Sequence, residues 1–523
     1  MFVLITFLVL FLTAVSLVAL RLARPLANSA WLVASLGGFL AWVSVFFWQL
    51  ALPAGLVSGA WLNLTGVDSS LQLVANQAAW VYALSLLALA GAVILTSPAR
   101  LSQVGTGEWL GTLGLVALAL LAILADNPLT LVLAWAALDL LEVFITLRSS
   151  TSAALSERTV IAFSIRAVGT GFALWAGVVS SVNGHALFLF EQAPAEAGLF
   201  LLLAAGLRLG VLPLHLPYRN EPVLRRGFGT SLRLTTAVTS LVLLARLPAS
   251  AVTVGYVPYL LGLAALAAFY GGWKWFSAPD ELSGRPYWMI ALSALAIAAT
   301  LRGNPAGSAA WGAVLVLFGG LSFLYSVRQV WLTRILAGLG LLLLALPFTL
   351  TAAGWLGDFP LPFLFWPPFL AVHLLVLGGY WRHLFRPAAP VYTDLPTWAQ
   401  ASYPVGLGLL AVTALLLGFW GWPGAFQVGL WSLALLLIGL VGVAWGIALR
   451  LQRLGGAELA TDPMEVRQSR FAFFQERLAA FFWALYRGLG RLFAFASSLL
   501  EGDGGLLWTL LLLILFLTLL RGR

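Results

Sequence analysis

The sequence has no cysteine, four histidines and, among its 28 basic residues, a single lysine, Lys274. Without cysteine there are no disulfides, no thiolate zinc sites, no cysteine-held iron–sulfur clusters and no covalently attached haem. No cofactor is therefore expected in this chain, and any redox group belongs to a partner. Charge is scarce too: 9% of the 523 residues are charged against 61% hydrophobic, with a mean hydropathy of +0.99. That balance excludes a soluble domain and reads as an integral membrane protein. No catalytic set and no metal-ligating cluster stands out.

What is present is a series of apolar runs, each about 20 residues long and so able to cross a hydrocarbon core of roughly 30 Å as a helix. We read spans at 1–20, 29–50, 71–96, 107–125, 127–147, 159–182, 196–217, 229–247, 252–273, 286–301, 308–327, 333–355, 361–381, 402–421, 426–450 and 505–520. The expected fold is an all-α polytopic membrane protein with about 16 transmembrane helices. The first run, FVLITFLVLFLTAVSLVAL, lacks a preceding basic region and a following small-residue cleavage site, so it reads as a span and not a signal peptide.

Alternate loops carry the cations: Arg21 and Arg24, Arg100, Arg148 and Arg158, Arg219 with Arg225 and Arg226, Lys274 and Arg285, Arg328, Arg382 and Arg386, Arg450 and Arg453. By the positive-inside rule these loops are cytoplasmic, in a bacterial inner membrane, and both termini face outward. The opposite loops hold Asp68, Asp126, Glu191, Glu196 and Asp358, with Arg246 and Arg302 as exceptions, and Arg521 and Arg523 at the outward end run against the rule. From Met464 to Leu500, Arg467, Arg470, Arg477, Arg487 and Arg491 interleave with Phe471, Phe474, Leu478, Phe482, Leu485 and Leu489 at about the helical period. Such an amphipathic helix lies along a membrane or partner surface. The net charge of +9 thus points to anionic lipid and not to nucleic acid.

Five ionisable side chains fall inside spans, where each costs several kcal/mol unless paired or bordering a wet cavity. Asp139 and Glu142 share a face of span five at i, i+3; Arg166 is in span six, Arg208 in span seven and Arg233 in span eight. Two readings stand: a clamp in which the charges neutralise one another, and a polar path relaying protons or cations through Asp139, Glu142, Arg208 and His215, with Arg166 and Arg233 in charge pairs. Span seven also holds Pro213 and Pro217, which lack an N–H and break the helix. Irregular backbone at that depth survives only when buried in protein or beside water.

These features resemble the antiporter-like membrane subunits of respiratory complex I and of the multisubunit sodium/proton antiporters. The resemblance rests on Arg208 standing five residues before Pro213, His215 two further on, and Pro222 before span eight, where the family has lysine, proline, histidine and a proline-rich entry. In span six, Arg166, Gly171 and Phe172 match an arginine-valine-glycine-aspartate-x-glycine-phenylalanine run, with Gly169 in the aspartate's place; in span five Trp135 matches and Ala136 replaces a glutamate, with Asp139 three residues on.

The resemblance implies an inverted-repeat core with helices seven and twelve broken, the latter at Pro347, a lateral amphipathic helix and an anchor helix. The implied divisions are 1–106, a first half-repeat 107–247, a second 248–381, further helices 382–460, the lateral helix 461–503 and the anchor 504–523. It also implies proton or cation translocation, or a scaffold role, beside other membrane subunits. The departures are in the titrating groups: Arg233 and Val238 stand where the family has histidine and lysine, span eleven has no ionisable group before Arg328, and span twelve lacks the exit lysine or glutamate.

Two other expectations follow from the sequence. One is the membrane partner of an inorganic-carbon uptake pair with the same fold. The other is a lipid-linked sugar transferase or polymerase, which the short, acid-poor outward loops disfavour. Paired haem-ligating histidines are missing, since only His215 and His373 lie in or beside spans, with His185 and His383 in loops.

Overall fold

The computed structural model describes residues 1–23, 29–57, 70–100, 105–149, 152–183, 188–216, 226–252, 255–327, 329–357, 360–386, 392–420 and 431–455. The expected lateral helix and anchor, and Pro217, lie outside the described residues. Residues 1–441 form one compact unit. The second, 442–523, is described only through the end of its first helix.

The helices are α1 (Phe2–Ala23), α2 (Ser29–Phe46), α3 (Gln77–Thr96), α4 (Thr106–Leu124), α5 (Pro128–Ser149), α6 (Ala153–Val182), α7 (Ala195–Arg208), α8 (Phe228–Arg246), α9 (Val257–Ser277), α10 (Glu281–Leu301), α11 (Pro305–Leu324), α12 (Val330–Leu339), α13 (Leu350–Trp355), α14 (Trp366–Leu384), α15 (Thr397–Trp420) and α16 (Trp431–Gly455). Among the described residues ten helical stretches are long and apolar enough to cross a membrane. Together with the helical content they make the chain a polytopic all-helical membrane protein. The sixteen helices among the described residues are not sixteen spans, because the single span read at 333–355 is divided between α12 and α13.

The centre of the unit is α3, α8, α10 and α11; from Gly307 to Leu324 every residue of α11 is buried. Glycine permits this packing at close approaches. A Cβ on Gly312 would fall 2.2 Å from the Tyr82 hydroxyl, and one on Gly271 would fall 2.7 Å from the Ala291 nitrogen on the neighbouring helix. Peripheral helices have the reverse pattern, α1 exposing Leu4, Leu8, Phe11 and Leu12. Such a face costs little against lipid tails, which are as apolar as leucine.

Three features depart from the sequence reading. Residues 54–57 and 72–75 form a two-stranded antiparallel hairpin pairing Ala54 with Ala75, so the helix read from 71 starts at Gln77, where Asn76 caps it by accepting from the Ala79 N–H. Lys274 and His383, read as loop residues, lie in the last turns of α9 and α14. Arg285, also read as a loop cation, is buried in α10 and donates to the Thr230 hydroxyl at 3.0 Å.

Helices seven and twelve are interrupted. α7 stops at Arg208, and Gly210 takes a left-handed φ of 75° while the Val211 and Leu212 N–H groups turn back to the Gly206 carbonyl. The physical cause is Pro213, whose ring clashes with the carbonyl four residues earlier and so prevents helix through 209–212. In the second case α12 tightens into a 3₁₀ turn at Gly340–Leu343, the chain unwinds past Pro347, and α13 resumes at Leu350.

Helix ends are tied by arginines. Arg226 donates to the Phe323 and Tyr325 carbonyls at 2.9 Å each and pairs with Glu281, joining the ends of α8, α10 and α11. Substituting Gly271→Leu should drive α9 from α10 and cost about 1–3 kcal/mol, the usual penalty of overpacking. Gly262→Leu on the same helix, with nothing within 4 Å of its Cβ, should cost nothing. Thermal unfolding in detergent compares the two.

Candidate functional site

The site is built on α5. Asn127 starts the helix by accepting from the Thr130 N–H at 2.8 Å, and Pro128, which has no N–H, sits in the first turn where none is needed. The i, i+3 spacing then points Asp139 and Glu142 at the same buried face, with 2% and 1% of their surfaces exposed. Into that face come Arg166 from α6, Arg208 from the end of α7 and Arg233 from α8.

Arg208 meets Asp139 in a fork, Nη1 to Oδ2 at 2.6 Å and Nη2 to Oδ1 at 2.9 Å. Its Nε donates to Ser240 Oγ at 3.2 Å, and Nη1 also reaches Thr170 Oγ1 at 3.0 Å and the Arg166 carbonyl at 3.3 Å. The guanidinium lies 4.2 Å over the Trp135 ring, whose Nε1 is anchored on the Thr239 carbonyl. Every nitrogen of Arg208 therefore has an acceptor and its face has an aromatic one. Gly169 makes room for it, since a Cβ there would lie 2.8 Å from Arg208 Cγ and 3.0 Å from the Ala204 carbonyl oxygen.

Glu142 is bound from two sides. Arg166 Nη1 donates to Oε2 at 2.5 Å, Arg233 Nη1 donates to Oε1, and Thr236 Oγ1 donates to Oε2 at 2.7 Å. Arg166 Nε stands 3.6 Å from Asp139 Oδ1, so it bridges the two carboxylates. Three guanidiniums against two carboxylates leave one net positive charge, 3 − 2 = +1. Charge-assisted bonds of this kind are the strong ones, and arginine keeps its proton in proteins.

The structure thus brings Asp139, Glu142, Arg166, Arg208 and Arg233 into one cluster. It leaves His215 out: its Nδ1 bonds to the Pro213 carbonyl at 2.9 Å, with no bond or ion pair to the cluster among the described residues. Pro213 lies beyond the end of α7, and Pro347 in the unwound stretch of helix twelve, apart from these charges.

Sequence reasoning missed a second buried pair. Arg246 bonds to Asp126 Oδ1 at 2.9 Å, to the Val74 and Ile123 carbonyls at 2.8 Å each and to the Ala125 carbonyl, clamping the hairpin to the α4–α5 turn. The signal was there in Arg246 as a cation out of place among acidic loops. Burial pushes the Asp126 carboxyl up to about 6, with Arg246 pulling it down only in part and Glu191 adding to the rise. Among the described residues no group of His, Asp and Glu side chains could hold a metal ion.

Two predictions follow from these pairs. Glu142→Ala takes from Arg166 and Arg233 the buried carboxylate they share and should cost about 3–5 kcal/mol, the usual penalty for removing one partner of a buried pair; an unchanged unfolding temperature in detergent would rule the pairing out. Because Asp126 holds its proton more tightly folded than unfolded, its contribution to stability falls as pH rises from the ordinary carboxylate value towards about 6. Asp126→Asn should flatten that part of the stability–pH profile, leaving Arg246 its three carbonyl acceptors.

No protein-family model matches the sequence, nor does any curated protein. Solved structures do. A chain of the membrane-bound sulfane sulfur reductase, an archaeal respiratory membrane complex, superposes with a TM-score of 0.65 at 17% identity, covering 98% of this chain and 99% of that one. A chain of the Mrp complex from Dietzia sp. DQ12-45-1b gives 0.64 at 17% identity over 99% of this chain, which spans 62% of that longer one. A chain of respiratory complex I from Thermus thermophilus gives 0.58 at 20% identity, covering 83% and 99%. The chain has the fold of these chains of respiratory and Mrp complexes.

Proposed function

We propose that this chain is a membrane subunit of a multisubunit respiratory or antiporter-type complex in a bacterial cytoplasmic membrane, where it acts as a rigid bracket between neighbours and does not itself relay protons. The observation that carries the reading is Arg208, which has no exposed side-chain surface and donates from all three of its nitrogens. A relay at this position needs a group that gains and loses a proton near neutral pH, and a guanidinium with pKa above about 12 does not. Asp139 and Glu142 are both committed to arginines. In the second half, α11 offers no ionisable side chain from Pro305 to Leu324.

The fold shared with respiratory and Mrp complexes supports a place among other membrane subunits. The interleaved arginines and aromatics of 461–503 support contact with those neighbours and with anionic lipid.

The test is to purify the tagged chain with its native partners and compare the parent with Asp139→Asn and Glu142→Gln. Ion pumping per assembled complex should stay within about twofold while the unfolding temperature drops. A loss of pumping of about tenfold or more in an intact assembly, or rapid proton flux through the isolated chain in liposomes, would replace the bracket with a conducting path through Asp139 and Glu142.

A further inference from the structure

The second half of the bundle contains a titratable group that the charge cluster does not use. His373, in the middle of α14, has 1% of its surface exposed, and both of its ring nitrogens are committed. The Trp355 indole nitrogen is 2.9 Å from Nδ1, and the Leu343 carbonyl oxygen is 2.5 Å from Nε2. An indole N–H can only donate. Nδ1 is therefore the acceptor, the ring proton sits on Nε2, and Nε2–H donates to Leu343, which fixes one neutral tautomer.

The carbonyl that His373 takes is the one the sequence orphans. In a continuous helix the Leu343 oxygen would accept from the N–H of residue 347, and residue 347 is proline. Thr351 Oγ1 closes the neighbouring gap by donating to the Leu342 carbonyl at 3.1 Å and accepting from the Ala345 N–H at 3.1 Å. His373 thus ties the end of the 3₁₀ turn to Trp355, the last residue of α13. The Trp355 carbonyl in turn accepts from Arg302 at 2.8 Å. Beside this junction Leu295, Ala299, Arg302, Trp311, Trp355 and Phe369 border a cavity of about 20 Å³, enough for one water.

We infer that His373 is a proton-binding latch on the broken helix: a proton taken from water at Nδ1 breaks the Trp355 bond and frees α13 from α14, enlarging the cavity beside Arg302. The proton binds the lone pair that now accepts the indole N–H. Two N–H groups then face each other 2.9 Å apart with no acceptor between them, so the indole must turn away, while Nε2–H stays on Leu343. Turning the indole also ends its stacking on Trp366, with ring centroids 5.5 Å apart, and on the His373 ring at 5.9 Å, the ring contacts that hold α13 on α14 beside the broken hydrogen bond.

The surroundings leave His373 as the group that senses pH there. The elements packed on α14 carry Lys274, Tyr259 and Tyr270 on α9, Glu281, Arg285 and Tyr287 on α10, and Arg334 on α12; α11, α13 and the 3₁₀ turn carry none. Glu281 and Arg285 lie ten or more residues from Leu295 along α10, on the order of 15 Å away at 1.5 Å per residue. On α14 itself Tyr380 donates to the Leu336 carbonyl, and Arg382 and His383 turn to the Phe276 and Trp275 carbonyls. Arg302, which borders the cavity, donates to the Trp355 carbonyl at 2.8 Å. The latch lies outside the charge cluster and does not depend on whether the chain conducts.

The cysteine-free sequence provides the test. Single cysteines are placed at Ala299, in the cavity wall, and at Val57, which is 65% exposed, and each full-length variant is treated in detergent with a methanethiosulfonate reagent. The ratio of the two rates cancels the thiolate dependence common to both. It should rise by about tenfold as pH falls from about 8 to about 4, through and below the range where a free histidine titrates. His373→Gln keeps an acceptor for Trp355 and a donor for Leu343 without titrating, and should hold the ratio low at both pH values. Trp355→Phe removes only the indole donor and should give the high ratio at both. A flat ratio in the parent, or the same rise in His373→Gln, would overturn the latch. If His373→Gln fails to fold, Trp355→Phe decides alone: a high ratio at both pH values supports the latch, and parent-like behaviour overturns it.

Discussion

A guanidinium buried between helices must have its positive charge and its five N–H donors satisfied, and the first half of this structure is arranged around that requirement. Arg208 is met by a carboxylate fork, two hydroxyls, a carbonyl and an indole face drawn from α5, α6 and α8. Those acceptors fix how the four helices stand relative to one another. Arg166, bridging both carboxylates, makes the cluster one unit and not two separate pairs. Removing a member costs far more than the net worth of any one bond, because the remaining charge has no water to turn to.

The same constraint, applied to the backbone, accounts for the rest of the polar chemistry. Membrane-depth carbonyls released at helix ends need donors, and arginines supply many of them. Arg226 holds two carbonyls beyond and at the end of α11, Arg246 holds three around the α4–α5 turn, and Arg302 holds the end of α13. At the two breaks the donor is a histidine. His215 meets the carbonyl of Pro213 and His373 that of Leu343, each four residues before a proline, Pro217 and Pro347. At the second break Pro347 leaves the Leu343 carbonyl without its helical N–H, and the His373 imidazole takes it up.

Lysine is absent from this cluster, and every cation in it is an arginine. Arginine makes more bonds than lysine and gives up no proton, so its use at 166, 208 and 233 favours fixed geometry over titration. In the second half α11 has no ionisable side chain and is buried from Gly307 to Leu324, and the broken helix is closed by Thr351 and His373. At that break the His373 imidazole stands between the Trp355 indole N–H and the Leu343 carbonyl.

Much of this was legible in the residues. The length and spacing of the apolar runs determined the helices, because hydrocarbon leaves the backbone no other partner than itself. Pro213 and Pro347 marked the breaks because their missing N–H and bulky ring act locally. The i, i+3 spacing placed Asp139 and Glu142 on one face, and the cost of charge in lipid singled out Arg166, Arg208 and Arg233. What the sequence could not determine was partnership. Asp139 joins Arg208 across 69 positions of chain, Asp126 joins Arg246 across 120, and His373 reaches Leu343 across 30. Such contacts depend on which helix faces pack together, and that is settled by the close approaches at Gly169, Gly271 and Gly312 and by the sum of buried surfaces, not by any local signal. The sequence by itself determined that buried charges and orphaned carbonyls exist; only the tertiary structure decided which group satisfies each, because that choice is made where distant helices meet.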